Sequence, residues 1–292
     1  MLIQPRYDGP PVIVLDGAID DQRDTLIRQR RRMVDELASR TDEEWRTPSR
    51  CEGWTAKDVV AHLGTTNDFW RLSIEAGLAG APSRLLVGFD PKLTPAALVE
   101  AVRALSPAET FERFATSTSS LCDAVDALDV TGWATIAEAP PGHVPIRVMA
   151  HHAVWDAWVH ERDILLPLAA APAEEADEII SCLRYAAALG PSFAALSDAD
   201  RRGVLAIDVS DPDAHVVVEQ AGGAVAVRAG EAPSGAAVLR GRAVDVLEML
   251  SIRVPFDQAI PDDARWMVQG LVDVSESTAE VTAERGIAPH DR

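Results

Sequence analysis

The chain has 292 residues, with 27 Lys and Arg against 46 Asp and Glu, a formal charge of −19 and an isoelectric point near 4.7. So acidic a chain lacks the basic face that neutralises phosphates, which excludes a nucleic-acid binder and a protein held on anionic lipid by charge. A hydrophobic content of 47% supplies a full core, and the length predicts about two domains of ~150 residues each.

The N-terminal run MLIQPRYDGPPVIVLDG has no basic segment followed by an apolar one, so no secretory leader is expected. No uninterrupted apolar stretch reaches the ~18 residues of a membrane span. Cys51, Cys122 and Cys182 are scattered and odd in number, neither a disulfide framework nor a metal knuckle. A reducing cytoplasm is the expected location. The sequence carries no signal for an oligomeric state.

Residues 18–40 predict a helix, with Ile19, Leu26, Ile27, Met33, Val34 and Leu37 near one face. Thr41 with Glu44 has the spacing of a capping box for a short turn carrying Trp45. After a punctuated loop from Pro48 to Trp54, Thr55 with Asp58 opens a second helix with the stripe Val59, Leu63, Trp70 and Ile74. Gly77, Gly80 and Pro82 end it. The run TPAALVEAVRAL reads as helical, and so does 107–128, with Phe111, Phe114, Leu121, Val125 and Leu128 at helical spacing. The stretch EAPPGHVP is expected to be a loop. Pro145 then suits a first helical position, and the helix IRVMAHHAVWDAWVHERDILL stops at Pro167. Four main helices joined by loops describe a bundle.

Beyond residue 172 the pattern changes. One helix over 173–189 leads to Gly190-Pro191, and three β-like runs follow: VLAIDVS, HVVVEQ and AVAVRAG. Gly222-Gly223 between the last two is a hairpin signal. A fourth strand over 236–239 and a helix over 242–250 complete an α+β half, and the tail after Ser275 reads as frayed. The expected division is 1–170, a metal-binding four-helix bundle, and 171–292, a small α+β domain.

The densest chemical clue is the pair Asp156 and His160. Four residues apart on a helix, a carboxylate and an imidazole face the same object. His62, beside the Leu63 and Trp70 stripe, is also expected to point inward. Two imidazoles and a carboxylate make a three-ligand metal site that leaves one position open, as catalytic zinc sites do. Other readings stand beside this one. His62 alone fits a hydrogen-bonded core histidine, and Asp156 with His160 fits a surface pair worth a few tenths of a kcal/mol. Both flank tryptophans in the most apolar helix, however, and a buried carboxylate needs a partner or a metal. Asp163, three residues after His160, has the position of an outer-shell carboxylate orienting a ligand imidazole, or of a simple charge in the last helical turn. His152, one turn before Asp156, reads as packing or as an outer-shell neighbour. Cys51 reads as a buried packing residue, with a reactive thiol as the alternative.

The stretch WRTPSRCEGWTAKDVVAHL, residues 45–63, resembles the N-terminal signature of the mycothiol-dependent maleylpyruvate isomerase family, which belongs to the DinB-like metal-binding four-helix bundles. The matching residues are Pro48, Ser49, Cys51, Gly53, Trp54, Asp58, Val59, His62 and Leu63. The family's other ligands form a carboxylate-x-x-x-His pair late in the bundle, followed closely by an Asp, and Asp156, His160 and Asp163 occupy that place. The family pair usually begins with Glu, where this chain has Asp156. The resemblance extends in outline to the C-terminal half, which is similar to the family's sterol-carrier-like domain.

The resemblance implies a zinc or other divalent-metal site at His62, Asp156 and His160, with mycothiol as thiol cofactor. A nearby cation lowers a thiol's pKa from ~8.5 toward neutrality and so supplies the thiolate nucleophile. Reversible addition of that thiolate to a cis double bond permits rotation and re-elimination, while displacement of a leaving group gives S-transfer. The implied partners are a small thiol and a small electrophilic acid. Arg147 and Arg162, at either end of the ligand helix, are the cations expected to receive them, with solvent-facing arginines as the alternative. Two other classes stay open: a non-catalytic ligand-binding protein with a structural or vestigial metal, and a metal-dependent hydrolase.

Overall fold

The computed structural model describes residues 3–16 and 22–273. The helical region comprises α1 (Arg23–Ala38), α2 (Asp42–Trp45), α3 (Ala56–Leu78), α4 (Leu93–Val102), α5 (Pro107–Asp126), α6 (Val130–Ala134) and α7 (Ile146–Leu165), with a hairpin of β2 (Ile136–Ala139) and β3 (Gly142–Pro145) inserted before α7. Ahead of them lies β1 (Ile13–Leu15); after them come α8 (Ala176–Ser197), β4 (Gly203–Ser210), β5 (Ala214–Ala221), β6 (Ala224–Ala229), β7 (Ala237–Arg242) and α9 (Ala243–Leu250). Residues 266–273 are helical as well. Ile19 and the tail after Ser275 lie outside the described residues.

Local chemistry sets the helix starts. Thr41 and Thr55 each accept from the backbone N–H three residues on, while Glu44 and Asp58 reach back to the capping N–H. Ser106 and Glu109 do the same at the start of α5. Each box satisfies donors that a helix otherwise leaves orphaned, worth about 1 kcal/mol.

α1, α3, α5 and α7 pack as the bundle. Two apolar clusters fill it: one holds Met33, Trp45, Val59, Leu63, Phe114 and Ile164, and the other runs from Trp70 and Trp158 into the sheet. Between them on α3 and α7 lies a polar layer, so the bundle core is interrupted at one level.

The second half is a five-stranded sheet in the order β1-β6-β5-β4-β7 covered by α8. Its strands run antiparallel from β4 to β6, joined by Gly222-Gly223, both with the left-handed backbone (φ 59° and 75°) of a tight hairpin turn. β7 joins the far side of β4 in parallel, reached through the loop of residues 230–236 after β6. Residues 13–15, from the far N-terminus, complete the sheet by pairing in parallel with β6, with Ile13 opposite Val225 and Leu15 opposite Val227.

Four expectations are corrected. β1 was not foreseen: three residues are too short for a periodic signal, and Ile13 and Leu15 are held by tertiary pairing. EAPPGHVP is not a loop but the β2–β3 hairpin, with Ala139 opposite Gly142. Its turn is fixed from outside, because Arg6 accepts from His143 N–H at 2.9 Å and donates its own N–H to Pro141 O at 3.0 Å. Pro145 caps α7 rather than opening it. Lastly, α8 does not stop at Gly190-Pro191 but continues to Ser197 with Pro191 inside it. An interior proline costs ~3 kcal/mol, and burial of Phe193 and Ala195 in the last turns offsets it at ~1.5–3 kcal/mol for a large side chain. α8 is long and apolar enough to cross a membrane by composition, yet 78% of its apolar window is buried inside the protein, the pattern of a core helix.

Gly142 has φ +121°, and a Cβ there would stand 2.0 Å from the Arg6 carbonyl oxygen. Gly142→Ala is therefore expected to destabilise the protein by about 3 kcal/mol or more. Gly235→Ala, with positive φ but open space around it, should lose only ~1 kcal/mol. Urea-unfolding midpoints of the two variants check the difference.

Candidate metal centre

The polar layer is built by facing turns of α3 and α7. α7 is buried over most of its length because α1, α3 and α8 pack around it. Asp156 and His160, one turn apart, therefore project into protein, and His62 and Thr66, one turn apart on α3, meet them. His62 Nε2 stands 3.9 Å and His160 Nε2 3.6 Å from Asp156 Oδ1. The two imidazoles meet edge to face with centroids 4.9 Å apart. One ligand atom from each of the three residues lies within 4.8 Å of the others. Thr66 Oγ1 is 3.3 Å from the second oxygen of Asp156.

The two Nε2 separations from Asp156 exceed hydrogen-bond length, so these donors converge without satisfying one another. Donors each ~2.0–2.2 Å from one tetrahedral ion stand roughly 3.3–3.6 Å apart, close to what is seen. The donor set also suits a divalent cation of borderline softness: two imidazole nitrogens and one carboxylate oxygen. The residues fit a metal.

Electrostatics sharpen this. Burial pushes His62 down toward its neutral form against the pull of Asp156. Burial opposes ionisation of Asp156, but the nearby imidazoles of His62 and His160 outweigh it and hold the carboxyl well below its usual range. Burial likewise opposes the charged form of His160, yet its hydrogen bonds to Asp163 and Cys51 lift it to about 10. Without a cation, His160 carries the positive charge that this carboxylate pair demands.

Asp163 sits behind His160, its Oδ2 2.9 Å from Nδ1, which leaves Nε2 facing Asp156. Its carboxylate is fully buried and also receives Arg253, with Nε 2.9 Å from Oδ1 and Nη2 2.8 Å from Oδ2. Cys51 Sγ donates to the same Oδ2 at 3.2 Å and lies 3.8 Å from His160 Nδ1. Cys51, His160 and Asp163 form a second group with metal-ligand chemistry. The guanidinium of Arg253 bonded to Asp163, and the hydrogen bond already using His160 Nδ1, oppose a cation there.

The loop before α3 holds this wall in place. Ser49 Oγ donates to Trp54 O at 2.8 Å, and the Trp54 ring packs tilted against His62 with centroids 5.5 Å apart. Arg50 N–H donates to Asp163 O at 3.1 Å, and the Arg50 side chain pairs with Glu248 of α9. Behind the cluster, fully buried Arg30 donates to Asn67 Oδ1, Gln29 Oε1 and the Ala153 carbonyl, all neutral acceptors.

His62, Asp156, His160 and Asp163 are thus brought together. His152 is not among them: its Nδ1 lies 2.6 Å from Tyr185 Oη of α8, inside a cage of Trp70, Trp155 and Tyr185. The expected receiving cations are corrected. Arg162 is buried against Glu248, with Nε 2.8 Å from Oε1, and stacks on Trp158, so its charge is already matched. Arg147 is exposed in the first turn of α7, roughly 13 Å along the helix axis from Asp156. The arginine at the site is Arg253, which the sequence reading missed. It lies in the turn after α9, and no periodicity ties it to residue 163. Thr66 was legible at i+4 from His62, and Cys51 was noticed but read as packing.

A helical bundle whose core carries two histidines and a carboxylate, joined to a five-stranded α+β half, defines the class: a helical scaffold with a candidate metal site and a sheet extension. Residues 26–165 match the family described as mycothiol maleylpyruvate isomerase N-terminal domain, so the helical half is similar to that domain. The crystal structure of the mycothiol-dependent maleylpyruvate isomerase is similar, with a TM-score of 0.57 at 16% identity over 82% of this chain and 90% of that one. The structure of a histidine-to-alanine mutant of that isomerase gives 0.56 at 16% identity, over 80% and 89%. At this identity the likeness is one of fold: a helical N-terminal region followed by a sheet domain. No curated protein sequence matches the chain.

Glu248 is buried and pairs with both Arg50 and Arg162. Glu248→Ala leaves two cations without their carboxylate and is expected to destabilise the protein by about 3 kcal/mol, whereas Glu248→Gln, which keeps an acceptor, loses less. Denaturant unfolding of the pair measures the difference.

Proposed function

We propose that the protein is a divalent-metal enzyme, zinc being the ion that best suits its donors, which uses a low-molecular-weight thiol of the mycothiol type to isomerise a small unsaturated acid resembling maleylpyruvate. The observation that carries this reading is the convergence of His62, Asp156 and His160 with Asp163 hydrogen-bonded behind His160. The metal supplies positive charge that favours a thiolate over a thiol at the open position.

The chain's own groups do the rest. Asp163 accepts from His160 Nδ1–H and so keeps Nε2 free to ligate. Arg253 clamps Asp163 through two nitrogens and, being partly exposed, adds positive charge at the edge of the cleft. Trp54 and Trp155 narrow the site, with Trp155 held by its Nε1–H to Ser251 at 2.9 Å. Addition of the external thiolate to the double bond and its re-elimination need no protein nucleophile, and Cys51 is engaged with Asp163. This reading places the protein in the cytoplasm, where the thiol stays reduced.

Metal analysis of the purified protein and turnover with and without thiol test the proposal together. About one equivalent of metal is expected, lost in His62→Ala and weakened ~10- to 100-fold in Asp163→Ala. Isomerised acid should form only when thiol is present. Absence of metal from the wild type would point to a binding protein; thiol-independent turnover would make it a hydrolase. A thiol conjugate as the final product would make it an S-transferase.

A further inference from the structure

The ligand face of α7 continues past the metal-centre residues. His160, Asp156 and His152 follow one another at four-residue steps, so all three line the same edge of the helix. Opposite them on α3, His62, Thr66 and Trp70 follow at the same step. Trp70 and His152 meet with centroids 4.8 Å apart. His152 thus stands one helical turn beyond Asp156 on the same edge of α7, with Trp70 of α3 packed against it.

His152 is more than nine-tenths buried, and only one of its nitrogens is engaged. Nδ1 faces Tyr185 Oη at 2.6 Å. Tyr185 is completely buried, and burial holds its phenol in the protonated form. If the phenol donates, its proton is satisfied by Nδ1; if Nδ1 donated instead, a buried O–H would be left without an acceptor. Burial also keeps His152 neutral, near pKa 4, so it carries a single ring proton. With Nδ1 accepting, that proton sits on Nε2. Nε2 has no partner among the described residues and is not among the sealed polar atoms, and the ring stands one helical turn from Asp156 on the same edge of α7.

We propose that the Tyr185–His152 pair presents a fixed Nε2–H donor one helical turn from the metal centre, which binds a carbonyl or carboxylate oxygen of the substrate. The pair selects an unsaturated acid that carries an oxygen on the His152 side of the carbon attacked by the thiol. This rests on the proposed thiol chemistry for the identity of the attacked carbon, but not for the donor itself. A donor already oriented by a second buried group loses little entropy on binding, and it strengthens when negative charge develops on the oxygen during addition.

Nitrogen-15 spectra of histidine-labelled protein, with His152 assigned by its disappearance in His152→Gln, read the tautomer directly. The expected result is Nε2 protonated and Nδ1 bare, with the bias lost in Tyr185→Phe. The opposite tautomer in wild type overturns the proposal, whatever the enzyme's reaction. On metal-loaded protein, maleate serves as the binding probe. His152→Phe should weaken maleate binding about 10- to 100-fold with metal content unchanged, and His152→Gln, whose amide nitrogen takes the place of Nε2, should recover most of it. Equal binding by wild type and His152→Phe, or equal loss in Phe and Gln, overturns the donor role. If the tautomer and maleate results hold but turnover needs no thiol, the proposed reaction fails while the donor stands.

Discussion

Everything at this site depends on one carboxylate, Asp156, whose side chain is only 13% exposed. Asp156 lies between two imidazoles, with the apolar clusters of the bundle above and below it. An isolated carboxylate in such a place costs several kcal/mol, and removing either imidazole leaves the cost uncompensated. The positions are consequently interlocked. His160 is positioned by Asp163, Asp163 by Arg253, and the Asp156 side by Thr66 and by the buried Arg30 layer against Ala153. A cation is the most direct way to satisfy donors that converge but do not bond to each other.

The second structural half is part of this arrangement. Arg253 and Ser251, in the turn after α9, reach α7 at Asp163 and Trp155, and Glu248 of α9 joins Arg50 of the signature loop to Arg162. The metal-centre wall is therefore shared between residues separated by about two hundred positions in the chain. The same contacts resolve the problem posed by a net charge of −19. Around the cluster Arg50, Arg162 and Arg253 are held by Glu248 and Asp163, and Arg30 by neutral acceptors, so cationic groups stand within reach of the site although the molecule is acidic. At short range and low dielectric such local charges outweigh distant, screened surface carboxylates.

How much was legible follows from the range of each interaction. The capping boxes at Thr41 and Thr55, the stripe of α3 and the four-residue step from Asp156 to His160 are local, so spacing alone reveals them. The hairpin at Gly222-Gly223 is local too. The β2–β3 hairpin was hidden because its turn is held by Arg6, more than a hundred residues earlier, and α8 was cut short because a proline signal ignores what burial at Phe193 contributes. Arg147 and Arg162 are close to the ligands in sequence, but that closeness does not bring their charges to the site. Arg162 turned instead to Glu248, a partner visible only when α9 is in place.

The sequence by itself determined the helical periods, the acidic character and the three chemical donors, because these are properties of residue type and spacing along one element. It also carried the family resemblance, through the loop-and-helix signature at 45–63. Only the tertiary structure decided which arginine faces the cluster, that His152 is turned to Tyr185 rather than to the ligands, and that residues 13–15 belong to the sheet of the other half. Those outcomes depend on pairings between distant segments, where burial makes an unpaired charge or backbone group too costly to leave, and no local pattern encodes which distant partner will arrive.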